Sequence, residues 1–143
     1  MENASILPIL QKIPLLEGLN EEDHAEIINH ITLQFFPAGQ LLFSEGEAGD
    51  KMYIIKSGKV KIFHPDKIDE PISMLEINDF FGEMALFRDD PRNASAMTQE
   101  DSELFLLEKA DFYELVLKNP TMANKLSQEF LERVQQNQKD QGV

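Results

Sequence analysis

Between residues 32 and 108 the apolar residues come in short extended runs, each cut off by a turn signal, and no helix of useful length fits between the cuts. Leu33, Phe35 and Phe36 precede Pro37-Ala38-Gly39, and Leu41-Leu42-Phe43 leads into Glu45-Gly46-Glu47-Ala48-Gly49-Asp50. Met52-Tyr53-Ile54-Ile55 and Val60-Lys61-Ile62-Phe63 flank Lys56-Ser57-Gly58-Lys59, which reads as a hairpin. A polar loop over residues 64–70, then Pro71-Ile72-Ser73-Met74-Leu75, and finally Ala94 to Thr98 and Leu104-Phe105-Leu106-Leu107 bring the total to about eight strands. Strands this short bury their apolar sides only by folding back on one another. The expected fold is therefore mainly β with flanking helices, a jelly-roll-like antiparallel β-roll. Gly39, Gly46, Gly49 and Gly58 are read as turn formers rather than site residues.

Helical signals bracket the roll. Ile6, Leu7, Ile9, Leu10 and Ile13, interrupted by Pro8 and closed by Pro14, predict one or two short helical turns. Asn20 before Glu21, Glu22 and Asp23 is a helix start, with a side-chain cap and carboxylates where the helix dipole favours them. Ala25, Ile27, Ile28 and Ile31 give that helix an apolar face. Beyond the roll, Asp111 is read as the cap of a helix through Phe112, Leu115, Val116 and Leu117. Asn119-Pro120 ends it and starts another, in which Ala123, Leu126, Phe130 and Val134 form one stripe reaching Asn137. A chain of 143 residues suits a single core. The expected organisation is one domain over residues 1–143: N-terminal helices to residue 31, the roll over 32–108, and two C-terminal helices over 109–137.

Composition excludes several function classes. Without cysteine there is no disulfide framework, thiolate metal site or cysteine nucleophile. A formal net charge of −13 disfavours nucleic acid and anionic membrane surfaces as partners. No apolar run is long enough to predict a membrane span, and the start Met1-Glu2-Asn3-Ala4-Ser5 lacks the basic opening of a signal peptide, so a cytoplasmic protein is expected. His24, His30 and His64 do not share ligand spacing, so no metal is predicted, and no nucleophile motif joins the serines to a base. Lys51, Lys56, Lys59 and Lys61 alternate with apolar residues and read as a solvated sheet face.

The stretch that carries chemistry is Phe80-Phe81-Gly82-Glu83-Met84-Ala85-Leu86-Phe87-Arg88-Asp89-Asp90-Pro91-Arg92-Asn93-Ala94-Ser95. A glycine, a carboxylate and a short apolar turn lead through an acidic loop to Pro-Arg and two small residues. With Arg88, Arg92 and Arg133 the only arginines, Arg92 stands out as the donor fork for a small anion. Taken singly, Arg92 could instead pair with Asp89 or Asp90 on the surface.

Phe-Gly-Glu and Pro-Arg-x-Ala-Ser at this spacing resemble the phosphate-binding cassette of the cyclic nucleotide-binding domain, the type found in the cyclic AMP receptor and the protein kinase A regulatory subunit. The lead-in Ile13-Pro14-Leu15-Leu16-Glu17-Gly18-Leu19 and the order helix, roll, helices are similar too. The resemblance implies a non-catalytic module with cyclic AMP or cyclic GMP as ligand, the former favoured, and no other cofactor. It implies that Arg92 holds the cyclic phosphate, with the amides of Ala85 and Asn93, with Ser95, and with Gly82 admitting the backbone close to the ligand. Glu83 would accept from the ribose 2'-hydroxyl. Ile62, Ile72 and Leu75 would flank the base, and Phe130 or Val134 would cap it, although plain core packing explains all five equally well. The signal would pass through the C-terminal helices to a protein partner or a second copy.

Asn93 departs from the pattern, which often has alanine or threonine there, so it leaves the base preference open. Asp89 and Asp90 are expected to point to solvent. No helix-turn-helix follows the last helix in this sequence, as it would in a transcription factor of the cyclic AMP receptor type, so a stand-alone member without helix-turn-helix or kinase is expected. The alternative function is a degenerate domain of the same fold that serves as an interaction module without ligand.

Overall fold

The structure, a computed structural model, describes residues 2–128, 130–132 and 134–135. The chain divides into two compact units, one of residues 31–109 and the other of the segments before and after it. The first is the roll. Its strands are β1 (Thr32–Phe36), β2 (Leu41–Phe43), β3 (Lys51–Ser57), β4 (Val60–Phe63), β5 (Ser73–Leu75), β6 (Phe80–Phe81), β7 (Ser95–Thr98) and β8 (Ser102–Glu108). They form two antiparallel four-stranded sheets, ordered β1-β8-β3-β6 and β2-β7-β4-β5. The mainly β fold with flanking helices expected from the strand series is present.

The connection at Gly58 differs from its expected role. β3 and β4 do not pair with each other as a hairpin; β3 lies between β8 and β6, and β4 between β7 and β5. The turn therefore carries the chain from one sheet to the other. Gly58 has φ +97°, and a Cβ there would lie 2.7 Å from the Asp101 carbonyl oxygen, so only glycine fits this crossing. The inward faces of the two sheets supply one cluster, Phe36, Phe43, Tyr53, Ile55, Val60, Phe81, Ala96, Leu104 and Leu106, with Leu42, Ile62 and Leu75 packed on its edge. Burying these side chains contributes roughly 1.5 to 3 kcal/mol for each large apolar residue.

The second unit contains α1 (Glu2–Leu10), α2 (Glu21–Ile28), most of α3 (Lys109–Lys118) and α4 (Pro120–Ala123). α1 runs through Pro8 instead of breaking there, with Ile6, Ile9 and Leu10 buried. α2 starts at a reciprocal cap: the Asp23 amide donates to Asn20 Oδ1 at 2.9 Å, and the Asn20 amide donates to Asp23 Oδ2 at 3.1 Å. α3 begins two residues before Asp111, which lies in its first turn rather than at its cap. The C-terminal stripe is not one helix. α4 ends at Ala123, residues 124–127 are non-helical, and helical backbone resumes at Gln128, where the Ser127 hydroxyl oxygen accepts from the Phe130 amide at 3.2 Å. Asn137, the expected end of the stripe, lies outside the described residues.

Candidate functional site

Two loops of the roll meet at one end and build the site. Gly82 leaves β6 with φ +74° and opens a 3-10 turn over Glu83–Leu86. Buried Ala85 and Leu86 fix that turn from beneath, and the Ala85 amide donates to the Gly82 carbonyl at 3.1 Å. Facing it, the Arg92 amide donates to the Glu47 carbonyl at 2.7 Å and the Gly46 amide to the Arg92 carbonyl at 2.8 Å. Ala48 and Pro91 add an isolated bridge. The β2–β3 loop thereby holds the backbone on which Arg92 is mounted, and the Arg92 side chain turns back toward Gly82.

A cavity of about 390 Å³ lies between these loops, lined by Phe43, Gly49, Ile62, Phe80, Phe81, Gly82, Glu83, Met84, Ala85, Arg88, Asp90, Pro91, Arg92 and Asn93. This is the size range of small-molecule sites, in which mostly apolar walls carry a few directed polar groups. Arg92 is the best-anchored of these groups. Its Nη2 donates to the Lys51 carbonyl at 2.8 Å and its Nη1 to the Gly82 carbonyl at 3.4 Å, while the buried Nε has no partner among the described residues. Burial pulls the guanidinium below its ordinary pKa, and the carboxylates of Asp50, Glu47 and Glu83 are among the groups that oppose that shift. An arginine remains cationic under such a shift, so the cavity wall carries a positive, partly desolvated fork. Tyr53 is pushed up to about 12 by burial, with Arg92 opposing, so at neutral pH its phenol is uncharged.

The surface-pair reading of Arg92 does not describe the structure. Asp89 pairs with Lys109, and Asp90 lies 3.7 Å from Arg88. Both carboxylates are exposed, at 63% and 70% of the side chain, as expected. Glu83, half-buried, lines the cavity and has no hydrogen bond or ion pair among the described residues.

Of the residues singled out in the sequence, Gly82, Glu83, Ala85, Arg92, Asn93 and Ile62 are brought together around the cavity. Ser95 is not among them: it is buried in β7, and its hydroxyl oxygen accepts from the Glu45 amide at 2.9 Å, bracing the neighbouring loop. Ile72 is 53% exposed and lies outside the cavity lining, and Leu75 packs on the edge of the core cluster. Leu75 lies in β5, an edge strand paired only with β4, and Ile72 immediately precedes that strand. Phe130 and Val134 are buried; the Phe130 ring packs 5.8 Å from Phe112 and 5.8 Å from Tyr113 within the helical unit.

Several lining residues escaped the sequence reading. Gly49 looked like one more turn glycine, yet its φ is not positive. What it provides is space. Phe43 reads as an ordinary strand residue, while Phe80, Phe81 and Arg88 lie within the stretch singled out but are given no contact of their own there. The lysine run gave no hint that the Lys51 carbonyl would receive Arg92. Among the described residues, no group of three or more His, Asp or Glu side chains could hold a metal ion. The arrangement can therefore bind and orient an anion that carries a hydroxyl near its charge: a fixed cation with a donor, and a carboxylate, that have no partner among the described residues, together with apolar walls.

Comparison with known proteins agrees with that chemistry. The family model for the cyclic nucleotide-binding domain matches residues 33–119, more than half of the chain. The chain is 32% identical over 116 residues to the cyclic AMP receptor protein of Thermus thermophilus, covering 80% of this chain and 54% of that protein. It is 31% identical over 107 residues to a cAMP-dependent protein kinase regulatory subunit of Pyricularia oryzae, covering 75% of this chain and 27% of that protein. It thus spans about half, or less, of the length of these relatives. Among solved structures, the N-terminal domain of a transcriptional regulator from Streptomyces coelicolor superposes with a TM-score of 0.70 at 26% identity, over 94% of this chain and 96% of that one. No helix among the described residues is long and apolar enough to cross a membrane.

Proposed function

The chain belongs to the cyclic nucleotide-binding domain family, and from that premise we propose that it is a non-catalytic regulatory module, binding cyclic AMP in preference to cyclic GMP and signalling through its C-terminal helices. The observation that carries this reading is Arg92: a partly desolvated guanidinium in the cavity wall with one buried donor, Nε, that has no partner among the described residues. A buried donor without a partner costs about 1 to 3 kcal/mol, and a cyclic phosphate oxygen is the kind of acceptor that relieves it.

In this proposal Arg92 holds the phosphate and Glu83 accepts from the ribose 2'-hydroxyl, which gives a carboxylate a use in an anion site. Gly82 keeps the cassette backbone within reach of the ligand. The Ala85 amide, which donates to the Gly82 carbonyl, exchanges that acceptor for the phosphate, and the Asn93 amide joins it. Ile62 is the wall against which the base lies, while Ser95 acts indirectly by bracing the β2–β3 loop through Glu45. The preference for cyclic AMP is supported by the names of the relatives, a cyclic AMP receptor protein and a cAMP-dependent kinase subunit. No cofactor is required. The module acts in the cytoplasm on a protein partner or on a second copy.

Displacement of a fluorescent cyclic nucleotide from the purified chain tests the reading. Cyclic AMP should displace the probe at lower concentration than cyclic GMP. Removing one partner of a buried charged contact costs roughly 2 to 5 kcal/mol, so Arg92→Ala should weaken cyclic AMP at least about thirtyfold with the circular dichroism spectrum unchanged. A smaller loss would show that Arg92 is not the clamp, and tighter binding of cyclic GMP would reverse the stated preference.

A further inference from the structure

We propose that Phe43 is a positioning residue for the anion clamp, its ring holding the Arg92 guanidinium flat against the cavity wall in the orientation that receives the ligand. The proposal rests on the reading of Arg92 as the phosphate clamp.

It begins with an irregularity in β2. Leu41 pairs with Met97 but Phe43 pairs with Ala96, so the register slips by one residue between them. In a regular strand, residues two apart share a face. Here Leu41 is 46% exposed and Phe43 only 9%. A bulge of this kind re-aims the side chains that follow it, and this one turns the Phe43 ring inward. The ring lies beneath Arg92, with the guanidinium carbon 4.0 Å from its centroid, within the range of a cation–π contact.

The ring is itself held in place. Tyr53 and Phe81 stack face to face at 4.8 Å, and Phe43 leans against them at 5.9 Å and 6.1 Å. Above this aromatic base, the Lys51 and Gly82 carbonyls fix two corners of the guanidinium. Gly49 approaches so closely that a Cβ there would lie 3.3 Å from Arg92 Cζ. The cation is thus oriented through both its face and its edges, and a group already ordered loses less freedom on binding. An aliphatic residue at position 43 would fill the volume but offer no negative ring face to the cation.

The test replaces Phe43 in the full chain with 4-fluoro-, 3,5-difluoro- and 3,4,5-trifluorophenylalanine, which weaken the ring face stepwise with little change of shape, and separately with leucine. Cyclic AMP affinity is measured by titration calorimetry, with melting temperatures recorded alongside. The dissociation constant should rise with each added fluorine, by roughly three- to tenfold at the trifluoro ring, and by about tenfold in Phe43→Leu. Melting temperatures should stay level across the fluorinated series. A dissociation constant that is flat across the series, or that moves only with the melting temperature, overturns the positioning role while leaving Arg92 as the clamp. If Phe43→Leu does not fold, the fluorinated series decides alone. If the unsubstituted chain binds no cyclic nucleotide, the phosphate reading falls and this proposal falls with it.

Discussion

A methyl group at Gly49 would stand 2.8 Å from the Ala85 Cβ and 3.3 Å from the Arg92 Cζ, so even the smallest side chain presses on both the cassette turn and its cation. Gly49→Ala should therefore weaken cyclic AMP binding by roughly tenfold or more and cost about 1 to 3 kcal/mol of stability, as overpacking does. Gly58→Ala is the informative contrast. It combines a φ of +97° with a near contact to the Asp101 carbonyl, but does not line the cavity, so it should lower stability without a matching loss of affinity. Calorimetric affinity and denaturant midpoints for the two variants check the separation; equal affinity losses would contradict it. At this scale the sequence is only partly legible. Arg92 and Glu83 can be picked out only because Phe81-Gly82-Glu83 and Pro91-Arg92-Asn93-Ala94-Ser95 stand together at the spacing of the family's cassette. Gly49 and Phe43 cannot, because one acts through an absent Cβ and the other through a register slip that no local pattern announces.

At the scale of elements, the Asp23 carboxyl makes the start of α2 depend on pH. Burial raises the Asp23 carboxyl, but the Lys125 bond, the Asn20 amide and the charges of Lys125 and His24 outweigh it, leaving Asp23 below the usual 3.8. A carboxyl lowered in the folded state binds fewer protons there than in the unfolded chain. It contributes stability above about pH 4 that is lost as pH falls through the folded value. Wild type should thus lose more stability than Asp23→Asn between about pH 5 and pH 2.5, read from melting temperatures. Parallel curves would contradict this. The Asn20 cap is legible because helix starts are written in adjacent residues. Pro8 and the 123–134 stripe mislead for the complementary reason. Burial of Ile6, Ile9 and Leu10 accompanies a helix that continues through a residue poor for helices, and the Ser127 contact with the Phe130 amide marks a fresh start inside an apparently continuous stripe. Eight strands can be counted because glycine, proline or polar loops punctuate most of the apolar runs. Which sheet each joins is set by pairing across long separations, such as Lys51 with Glu108, and so the turn at Gly58 passes for a hairpin.

For the whole molecule, all the lining residues of the cavity lie within residues 31–109, while the helices proposed to carry the signal lie almost wholly in the other unit. A ligand can alter those helices only if it binds one of their arrangements better than another. Hydrogen exchange on saturation with cyclic AMP should slow in peptides covering residues 80–95 and change in those covering 110–135. Protection confined to the cassette would leave a binding module and remove the helical signalling. The net charge of −13 is no obstacle to an anionic ligand, because charges are screened beyond about 8 Å at physiological salt and the cavity brings its own donors. The central claim is that this chain binds one cyclic nucleotide in the cavity between Gly82 and Arg92. Titration calorimetry of the purified chain with cyclic AMP tests it most directly: the account predicts saturable one-site binding at about micromolar or tighter, near −8 kcal/mol, and no saturable heat up to about millimolar with either cyclic AMP or cyclic GMP would contradict it.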